Sequence, residues 1–294
     1  RCAANALCLY AAHPQSIIPD RCTTLEKNKF MSRIKDKWND GDPYEFFMGR
    51  WSSLMSIEFL KCLNIPFNLN WLDIGCGTGA LSEAIAQNCI PSKISGIDPS
   101  EGFIKKIKQR ISANSEFKVG NVEKLPFKNE SFDVIVSGLA LNFFPNLERA
   151  LSEIKRVSKP NGVVAAFVWD YSGRMDFLRY FWYAAYQVDP KSRELDEGVR
   201  FPICNSKELT KAFQKANLKE IESAKLDINT IFKNFDDYWN PFLGLQGPAP
   251  SYLASLDNGL QEDLKNNTKE RLQFESNGSI KLLGRAIAIK GICK

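Results

Sequence analysis

The sequence predicts an α/β protein whose seven-stranded sheet is mostly parallel, carries helices on both faces and includes an antiparallel last strand. Three observations predict this class. Near-continuous apolar runs of strand length are typical of strands buried in a parallel sheet. Amphipathic helical patterns alternate with these runs along the chain. The composition is that of a globular protein, with 294 residues of which 44% are hydrophobic and 25% charged, enough to build one large core with insertions.

The first predicted strand leads into a glycine-rich turn within segment 71–81, which reads WLDIGCGTGAL. Glycine has no Cβ, so a flat ligand can lie directly against the main chain at the glycine positions. Apolar residues at helical spacing follow the turn, and the amide groups at a helix N-terminus point toward a ligand bound there. A strand, a glycine turn and a helix together predict a nucleotide pocket. For this segment alone, a turn with a purely structural role is the alternative.

The glycine spacing and one carboxylate indicate which kind of nucleotide binds. The turn reads G-x-G-x-G, with Asp73 two residues before Gly75, whereas the dinucleotide fingerprint reads G-x-G-x-x-G and binds a pyrophosphate. A carboxylate at this position would repel a pyrophosphate and would suit an ammonium or sulfonium group. No Lys-Ser or Lys-Thr follows the last glycine, which excludes a P-loop. The pattern resembles motif I of the class I S-adenosylmethionine-dependent methyltransferases.

The second predicted strand, 93–98, ends in an acid. Asp98 lies 19 residues beyond Gly79, where a Rossmann-like fold places an acid on the ribose hydroxyls. The alternative is that Asp98 caps a helix that begins at Pro99. We favour the ribose contact because it comes at the right distance from a glycine turn, and one residue could serve both roles.

The third predicted strand, 117–121, leads into a segment that binds adenine in the family. Segment 120–127 reads GNVEKLPF and resembles the family's G-D-A-E-x-L-P-F, in which the Asp side chain takes the adenine amino group. Asn121 replaces that Asp here, and its amide oxygen can still accept the hydrogen bond. The resemblance implies that the Val122 backbone amide serves the adenine ring nitrogen.

The fourth predicted strand, 132–137, is followed by SGLALN at 137–142. Methyltransferases that act on base or amide nitrogens resemble one another in a D/N/S-P-P-Y/F segment at this point, so methylation of exocyclic amino groups in nucleic acid is not expected. The absence of a Pro-Cys nucleophile disfavours C5-cytosine methylation. A helix over 147–157, a K-P-N-G turn at 159–162 and a strand at 163–169 follow. This run is similar to the family's helix and K-P-G-G turn.

Four matched segments in the correct order over about 100 residues carry the resemblance, which is to the methyltransferase type 11 or ubiquinone-biosynthesis-like branch of the class. It implies a Rossmann-like sheet and S-adenosylmethionine as the cofactor. Because ligands of open α/β sheets bind at the carboxyl ends of the strands, we expect one crevice. The predicted cofactor-binding residues are Asp73, Gly75, Cys76, Gly77, Gly79, Asp98, Pro99, Asn121, Val122, Ser137 and Leu139.

A general base is harder to assign from the sequence. The single histidine, His13, lies in an N-terminal leader. The catalytic candidates are therefore Asp170, Tyr171 and Tyr44, since carboxylates and phenols can also accept a proton. Alternatively, the nucleophile is already ionised. The eight cysteines show no paired spacing, so no metal site is predicted, and reduced thiols favour a cytoplasmic location.

The chain divides into three predicted parts. Residues 1–30 precede the first methionine, Met31, and are interpreted as a disordered or artefactual leader, with an organelle transit peptide as the weaker alternative. Residues 31–66 form a helical segment in which Tyr44 and Trp51 are candidates for a lid over the cofactor, although the same aromatic stripe could be core. Residues 67–294 form the methyltransferase domain.

Two insertions in this domain, at about 175–200 and 230–280, are rich in aromatic residues. We expect them to form a cap over a small, largely apolar or aromatic acceptor, while packing of a second small layer explains the same residues equally well. Further strands are predicted at 218–228 and, as the antiparallel last strand, at 284–291, with a loop at 244–250.

The leading interpretation is a methyltransferase that acts on a small-molecule acceptor. A nicotinamide-dependent oxidoreductase is the alternative from a different enzyme class, and a cofactor-binding protein without turnover is the third. The formal net charge of +5 is spread along the sequence, so no nucleic-acid partner is expected. No apolar run approaches the roughly 18 residues of a membrane span. The sequence indicates no oligomeric state.

Overall fold

The computed structural model describes residues 45–111, 114–245 and 247–294. The predictions for Tyr44, His13 and the leader 1–30 fall outside the described residues. A π-helical turn at Glu45–Gly49 leads into the first α-helix. The strands are β1 (Asn70–Ile74), β2 (Lys93–Asp98), β3 (Ser115–Val119), β4 (Phe132–Gly138), β5 (Ser158–Trp169), β6 (Lys219–Phe232) and β7 (Ile280–Ile292).

The helices are α1 (Arg50–Leu63), α2 (Ala80–Asn88), α3 (Glu101–Arg110), α4 (Leu147–Val157), α5 (Asp176–Val188), α6 (Glu197–Arg200), α7 (Ser206–Lys215), α8 (Phe235–Trp239), α9 (Pro248–Ser255) and α10 (Asn258–Arg271). Short 3₁₀ helices cover Leu141–Phe143, Pro190–Glu194 and Asn240–Gly244.

The strands form one seven-stranded sheet in the order β3-β2-β1-β4-β5-β7-β6. Strands β1 to β5 pair in parallel, and β7 runs antiparallel to both of its neighbours, β5 and β6. The predicted fold class is confirmed, including the antiparallel last strand. This strand lies inside the sheet, and β6 takes the edge position. The chain order reverses at β1, between β2 and β4, and such a switch point is where open α/β sheets bind ligands.

The strand next to the glycine turn is buried on both faces, because helices cover the sheet. Trp71 and Leu72 of β1 are 0% exposed. Helix α4 buries its stripe of four apolar residues and packs against β5. It starts at the predicted position because the Asn146 side chain accepts a hydrogen bond from the Arg149 amide at 3.0 Å, which satisfies one of the free amide groups of the first turn.

Some predicted boundaries differ from the structure. The third strand ends at Val119, two residues earlier than predicted. The strand predicted at 218–228 continues to Phe232 because it pairs with β7 along this extension. The predicted loop at 244–250 is wrong in its second half, since α9 begins at Pro248. Proline is favoured in the first helical turn, where its fixed φ suits the helix and no amide hydrogen is needed.

The aromatic residues of the two insertions form a second core. The rings of Phe181 and Phe242 stack with centroids 4.5 Å apart and planes 10° apart, and Phe177 lies 4.8 Å from Phe242. Trp182 and Tyr252 are 5.6 Å apart. All five side chains are buried, with exposures of 0 to 1%. Packing therefore accounts for these five aromatics, while closure of the insertions over an acceptor stays a prediction.

Trp51 also belongs to this packed region. It is 4% exposed, and its ring lies 5.2 Å from that of Phe232. The Arg50 guanidinium lies over the Trp51 ring at 4.2 Å and pairs with Asp237 at 3.1 Å. These contacts hold α1 against the second insertion, so packing accounts for Trp51, while a lid over the cofactor stays a prediction.

Candidate functional site

A cavity of about 420 Å³ opens beside the switch point, at the carboxyl ends of the parallel strands. Beyond β2 and β3 it is lined by Ile97, Asp98, Pro99, Ser100, Phe103, Gly120, Asn121 and Val122. Around β1 and the end of β4 it is lined by Ile74, Gly75, Gly77, Gly138, Leu139 and Ala140. The remaining lining residues are Met48, Phe143, Phe144, Pro145, Trp169 and Tyr171.

The glycine turn needs its glycines for different reasons. Gly75 has φ +70°, and a Cβ there would lie 2.4 Å from the Ala140 Cβ, so the turn packs tightly against the loop after β4. Gly77 has φ +52°, and nothing lies within 4 Å of the position of its missing Cβ. The main chain at Gly77 therefore borders open space in the cavity, as expected where a ligand lies against the backbone.

Asp98 ties the end of β2 to the glycine turn. Its Oδ2 accepts a hydrogen bond from the Gly77 amide at 3.0 Å, and its Oδ1 accepts one from the Ser100 amide at 2.8 Å. The cap of the following helix is Ser100, whose side chain accepts from the Phe103 amide, so the N-cap alternative for Asp98 is wrong. Burial raises the pKa of Asp98, and the two amide hydrogen bonds oppose that rise.

Asp73 is buried with one carboxylate oxygen unsatisfied. The side chain is 0% exposed, and Oδ2 accepts a hydrogen bond from the Ser82 hydroxyl at 2.7 Å. Oδ1 has no hydrogen-bond partner. Burial raises the pKa of Asp73 to about 7, with a smaller upward contribution from the charge of Asp98 and an opposing effect of the hydrogen bonds from Ser82. A buried carboxylate oxygen without a donor indicates that a polar or cationic group normally faces it.

A small chamber of about 40 Å³ lies next to Asp73. It shares Gly75, Gly77, Gly138 and Leu139 with the main cavity, and Ser56 of α1 also lines it. Its volume is enough for one water molecule or a group of similar size. The chamber therefore extends the site below the glycine turn.

Two serines of α1 line this chamber, and the sequence analysis missed them. Ser52 and Ser56 are 3% and 1% exposed. Their hydroxyls donate to the carbonyls of Met48 and Ser52 at 3.0 and 2.8 Å. A serine hydroxyl has one hydrogen to donate, so these oxygens face other groups as acceptors. Two serines four residues apart, within an otherwise apolar face of a predicted helix, are the sequence signal that could have identified them.

The other predicted cofactor residues are only partly brought together. Asn121 and Val122 line the main cavity, and the Asn121 Oδ1 accepts a hydrogen bond from the Glu123 amide at 2.9 Å. Leu139 also lines it, with an unusual φ of +58°, and such backbone conformations concentrate at functional sites. Pro99 lines the main cavity, Cys76 lines only the chamber, and Gly79 and Ser137 line neither.

The end of the cavity nearest β4 and β5 is apolar and aromatic. Phe143 and Trp169 contribute rings there, and Met48 reaches it from the turn before α1. Tyr171 is 7% exposed and lines the same end. Asp170 does not line the cavity, because its carboxylate accepts a hydrogen bond from the Arg174 amide within a tight turn. Of the two catalytic candidates among the described residues, Tyr171 lines the cavity and Asp170 does not.

Within the part of the chain that the structure describes, no group of three or more His, Cys, Asp or Glu residues could hold a metal ion. No helix in that part is long and apolar enough to cross a membrane.

The residues present fit a cofactor with a cationic amino-acid end. Asp73 supplies a buried acceptor oxygen that has no hydrogen-bond partner, and Gly77 leaves open space along the backbone. Asp98 lines the cavity and is 7% exposed. Each carboxylate oxygen has two lone pairs, so Asp98 can accept from ribose hydroxyls in addition to its amide partners. A pyrophosphate at the glycine turn would face the Asp73 carboxylate and would meet no basic side chain along the lining.

Comparison with known proteins identifies the same region. Residues 72–166 match the family described as "Methyltransferase domain". The demethylmenaquinone methyltransferase of Lactococcus lactis is 36% identical over 116 residues, which cover 38% of this chain and 46% of that protein. The demethylmenaquinone methyltransferase of Bacillus licheniformis is 29% identical over 181 residues, covering 55% of this chain and 76% of that protein.

The match thus spans about half the length of several of these curated relatives. Among solved structures, phosphoethanolamine N-methyltransferase 2 of Haemonchus contortus has a TM-score of 0.52 at 16% identity, with 85% of this chain and 56% of that chain covered. This likeness concerns the fold. The matched domain, the switch-point cavity and the predicted motifs agree with one another. Residues 72–166 thus form a methyltransferase domain, and the chain resembles the class I S-adenosylmethionine-dependent methyltransferases in its fold and motifs.

Proposed function

We propose that this protein transfers the methyl group of S-adenosylmethionine to a small, apolar, ring-containing acceptor. The observation that carries the proposal is the pairing of two different ends in one site, which consists of the small chamber and the main cavity with four shared lining residues. One end has an unsatisfied buried carboxylate oxygen at Asp73 beside the open backbone of Gly77. The other end is walled by apolar and aromatic side chains.

The proposed placement of the cofactor follows from these residues. Asn121 and Val122 would hold the adenine, and Asp98 would accept from the ribose hydroxyls. Asp73 and Ser56 would face the ammonium group, since both present acceptor oxygens to the 40 Å³ chamber. When bound, S-adenosylmethionine supplies an activated methyl group on a sulfonium. The chain's own contribution is then to hold the acceptor in line and to exclude water.

Ionisable groups on the cavity wall limit the chemistry of the acceptor. Within the described lining, the titratable side chains are Asp98 and Tyr171. Asp98 is held by two backbone amides, which leaves Tyr171 as the candidate that could orient an acceptor oxygen or take its proton. We therefore propose an acceptor that becomes nucleophilic when a readily ionised hydroxyl group loses its proton, without a strong base. The enolate-like ring carbon of a phenol or quinol is such a nucleophile.

The named activity of two relatives supports a quinol-like acceptor. Both are demethylmenaquinone methyltransferases, and a flat apolar ring suits a wall made of Phe143, Trp169 and Tyr171. A nicotinamide-dependent oxidoreductase is disfavoured by Asp73, whose carboxylate would repel a pyrophosphate at the glycine turn, and by the G-x-G-x-G spacing of that turn. A cytoplasmic location is part of the proposal and is supported by the free cysteines of the described chain: Cys62, Cys76, Cys89, Cys204 and Cys293.

The first test is calorimetric titration of the full chain with S-adenosylmethionine, with S-adenosylhomocysteine and, separately, with NADH. We expect micromolar binding of the two sulfur ligands and weaker or no binding of NADH. Asp98→Asn keeps the shape of the side chain and removes its charge, so it should weaken the binding of both S-adenosylmethionine and S-adenosylhomocysteine. Preferred binding of NADH would support the oxidoreductase and overturn the proposal.

The second test measures turnover with methyl-labelled S-adenosylmethionine and reduced 1,4-naphthoquinone as the acceptor. Label in the ring product would establish transfer to a quinol-like compound. Tight cofactor binding without label transfer to this or a panel of small phenols would instead favour a binding protein without turnover.

A further inference from the structure

One aromatic residue outside the cavity supports two residues of its wall. The Phe201 ring lies 5.0 Å from that of Phe143, with the planes at 74°, and 5.9 Å from that of Tyr171. Phe143 and Tyr171 line the cavity, and Phe201 does not. Phe143 follows β4 and Tyr171 follows β5, so Phe201 braces two loops that otherwise approach the site separately.

Phe201 ends a short segment, residues 189–201, which we call the strap. Asp196 of the strap is 1% exposed. Its Oδ1 accepts from the Arg179 guanidinium at 2.5 Å and from the Gly198 amide at 2.7 Å, and its Oδ2 accepts from the Tyr186 hydroxyl. Both carboxylate oxygens are thus occupied, which fixes the strap relative to α5.

A second buried acid anchors the same segment. Glu197 is 3% exposed and accepts a hydrogen bond from the Trp182 indole. The three donors to the strap, Arg179, Trp182 and Tyr186, are spaced three and four residues apart and so lie on one face of α5. Burying two carboxylates beside one guanidinium is costly and adds little stability on balance, so a role in fixing one conformation is the better explanation of this arrangement.

The strap also packs against the backbone next to Tyr171. A Cβ at Gly198 would lie 3.0 Å from the Cα of Ser172, so the two backbone segments lie too close together to leave room for a side chain at Gly198. The Phe201 amide donates to the Glu197 carbonyl at 2.9 Å, which fixes Phe201 to the anchored part of the strap. The buried anchors and the position of Phe201 are therefore mechanically connected.

We infer that Phe201 is a specificity-determining residue, through which the strap sets the width of the acceptor end by bracing Phe143 and Tyr171. This inference rests on the proposed function, because it concerns the acceptor of that same cavity. Phe201 makes ring contacts with both wall residues, and these contacts limit how far the two rings can move while Phe201 is in place. Removal of the Phe201 ring leaves space into which the rings of Phe143 and Tyr171 can relax, so the acceptor end widens. The affinity for a wider acceptor ring then rises relative to the affinity for a narrower one.

The test uses the full chain saturated with S-adenosylhomocysteine and two probes that differ by one fused ring, phenol and 1-naphthol. Ligand-observed NMR titration gives the ratio of their affinities. In Phe201→Ala we expect the ratio to shift at least threefold toward 1-naphthol, with S-adenosylhomocysteine affinity unchanged within twofold. Phe201→Leu retains most of the bulk, should shift the ratio less and covers the case in which the alanine variant fails to fold.

Val199→Ala is the matched control, because Val199 lies on the same strap and is 53% exposed. It should leave both the ratio and the cofactor affinity unchanged. An unchanged ratio in a Phe201 variant that still binds S-adenosylhomocysteine would overturn the inference, as would an equal shift in the control. Failure of the unaltered protein to bind S-adenosylhomocysteine would reject the proposed function itself, and binding of that ligand but of neither probe would reject the acceptor class on which the inference depends.

Discussion

At the scale of single residues, Asp73 and Ser56 define the polar end of the site. Asp73 supplies a buried oxygen without a donor, and Ser56 has already used its hydroxyl hydrogen on the Ser52 carbonyl. Both therefore offer acceptors to the same small chamber. An ammonium group has three hydrogens to donate and matches such a lining, whereas a carboxylate would be repelled.

Ser56→Ala tests this assignment of the chamber. We expect the dissociation constant of S-adenosylhomocysteine to rise about three- to tenfold, the effect of losing one hydrogen bond. 5′-Methylthioadenosine lacks the amino-acid end and should bind as before. Calorimetry with both ligands measures the difference.

Ser53→Ala provides the control, because Ser53 is exposed on the same helix and should leave both affinities unchanged. Equal losses for the two ligands in Ser56→Ala would show that the serine acts on the fold of the site and not on the ammonium group.

The pKa of Asp73 predicts a pH dependence of cofactor binding. Burial raises this pKa to about 7, and an ammonium group binds the ionised acid. Affinity for S-adenosylhomocysteine should therefore be full above this pKa and should fall as the pH drops through it. A single titrating group can change the affinity by at most about tenfold per pH unit. Calorimetry at several pH values checks the profile, and Asp73→Asn should flatten it, with the largest loss of affinity above the pKa of about 7.

The same raised pKa acts on stability with the opposite sign. The folded protein keeps a proton on Asp73 that the unfolded chain, with a pKa near 3.8, releases. The contribution of this group to stability is therefore full below that value and is lost as the pH rises through the folded pKa of about 7. In urea unfolding, Asp73→Asn should remove this component of the pH dependence, and an unaltered profile would contradict the assignment.

At the scale of elements, the glycine turn and the loop after β4 form one packed unit. The position of the missing Gly75 Cβ lies 2.4 Å from the Ala140 Cβ, so neither segment can move without the other. Leu139, beside this contact, has φ +58° and donates its amide to the Phe167 carbonyl at 2.8 Å. The contact places the open backbone of Gly77 opposite the end of β4.

Gly75→Ala should destabilise the protein by roughly 2–3 kcal/mol, because it combines overpacking with a left-handed backbone conformation. Adding Ala140→Gly relieves the clash and leaves the backbone strain, so about half of the loss should be recovered. Urea denaturation of both single variants and the double variant measures this coupling.

Gly77→Ala is the comparison within the same turn. Its Cβ would meet open space, so only the strain of about 1 kcal/mol is expected. Additive effects of the Gly75 and Ala140 substitutions would disprove their contact.

At the scale of the whole molecule, the sheet and the insertions have separate roles. The sheet brings its carboxyl ends together as the cavity, while the insertions bury their aromatics in a core of their own. None of the five rings described above for that core, including Phe181, lines the cavity. The insertions contribute to the site indirectly, through the strap and Phe201.

Phe181→Ala should therefore cost stability without changing the cofactor site. The ring is 0% exposed, and truncation of a buried phenylalanine typically costs about 3–5 kcal/mol. The affinity of the folded variant for S-adenosylhomocysteine should stay within twofold. Thermal unfolding and calorimetry measure the two effects.

Tyr183→Ala on the same helix, at 50% exposure, should cost much less stability. A large loss of cofactor affinity in folded Phe181→Ala would show that the two parts of the molecule are coupled more closely than their packing indicates.

The sequence by itself determined the elements whose signals are local. The glycine turn, the apolar strands and the amphipathic helix α4 follow from spacing and backbone chemistry within a few residues, and their order along the chain predicted the sheet. The same signals identified Asp73, Asp98 and Gly77, because the required residue type and its distance from the turn are visible in one segment. The helix-cap role offered for Asp98 failed because Ser100, two residues later, caps the helix instead.

Only the tertiary structure decided which distant residues meet. Met48, Phe143 and the neighbouring pair Trp169 and Tyr171 come from three separate segments and share no pattern in the sequence, yet all line one cavity. The insertion aromatics have the same composition whether they pack together or cover a ligand, so their burial could not be predicted from residue type. Long-range contacts assembled the apolar end of the cavity, because side-chain neighbours across a sheet depend on strand order and loop path rather than on local periodicity.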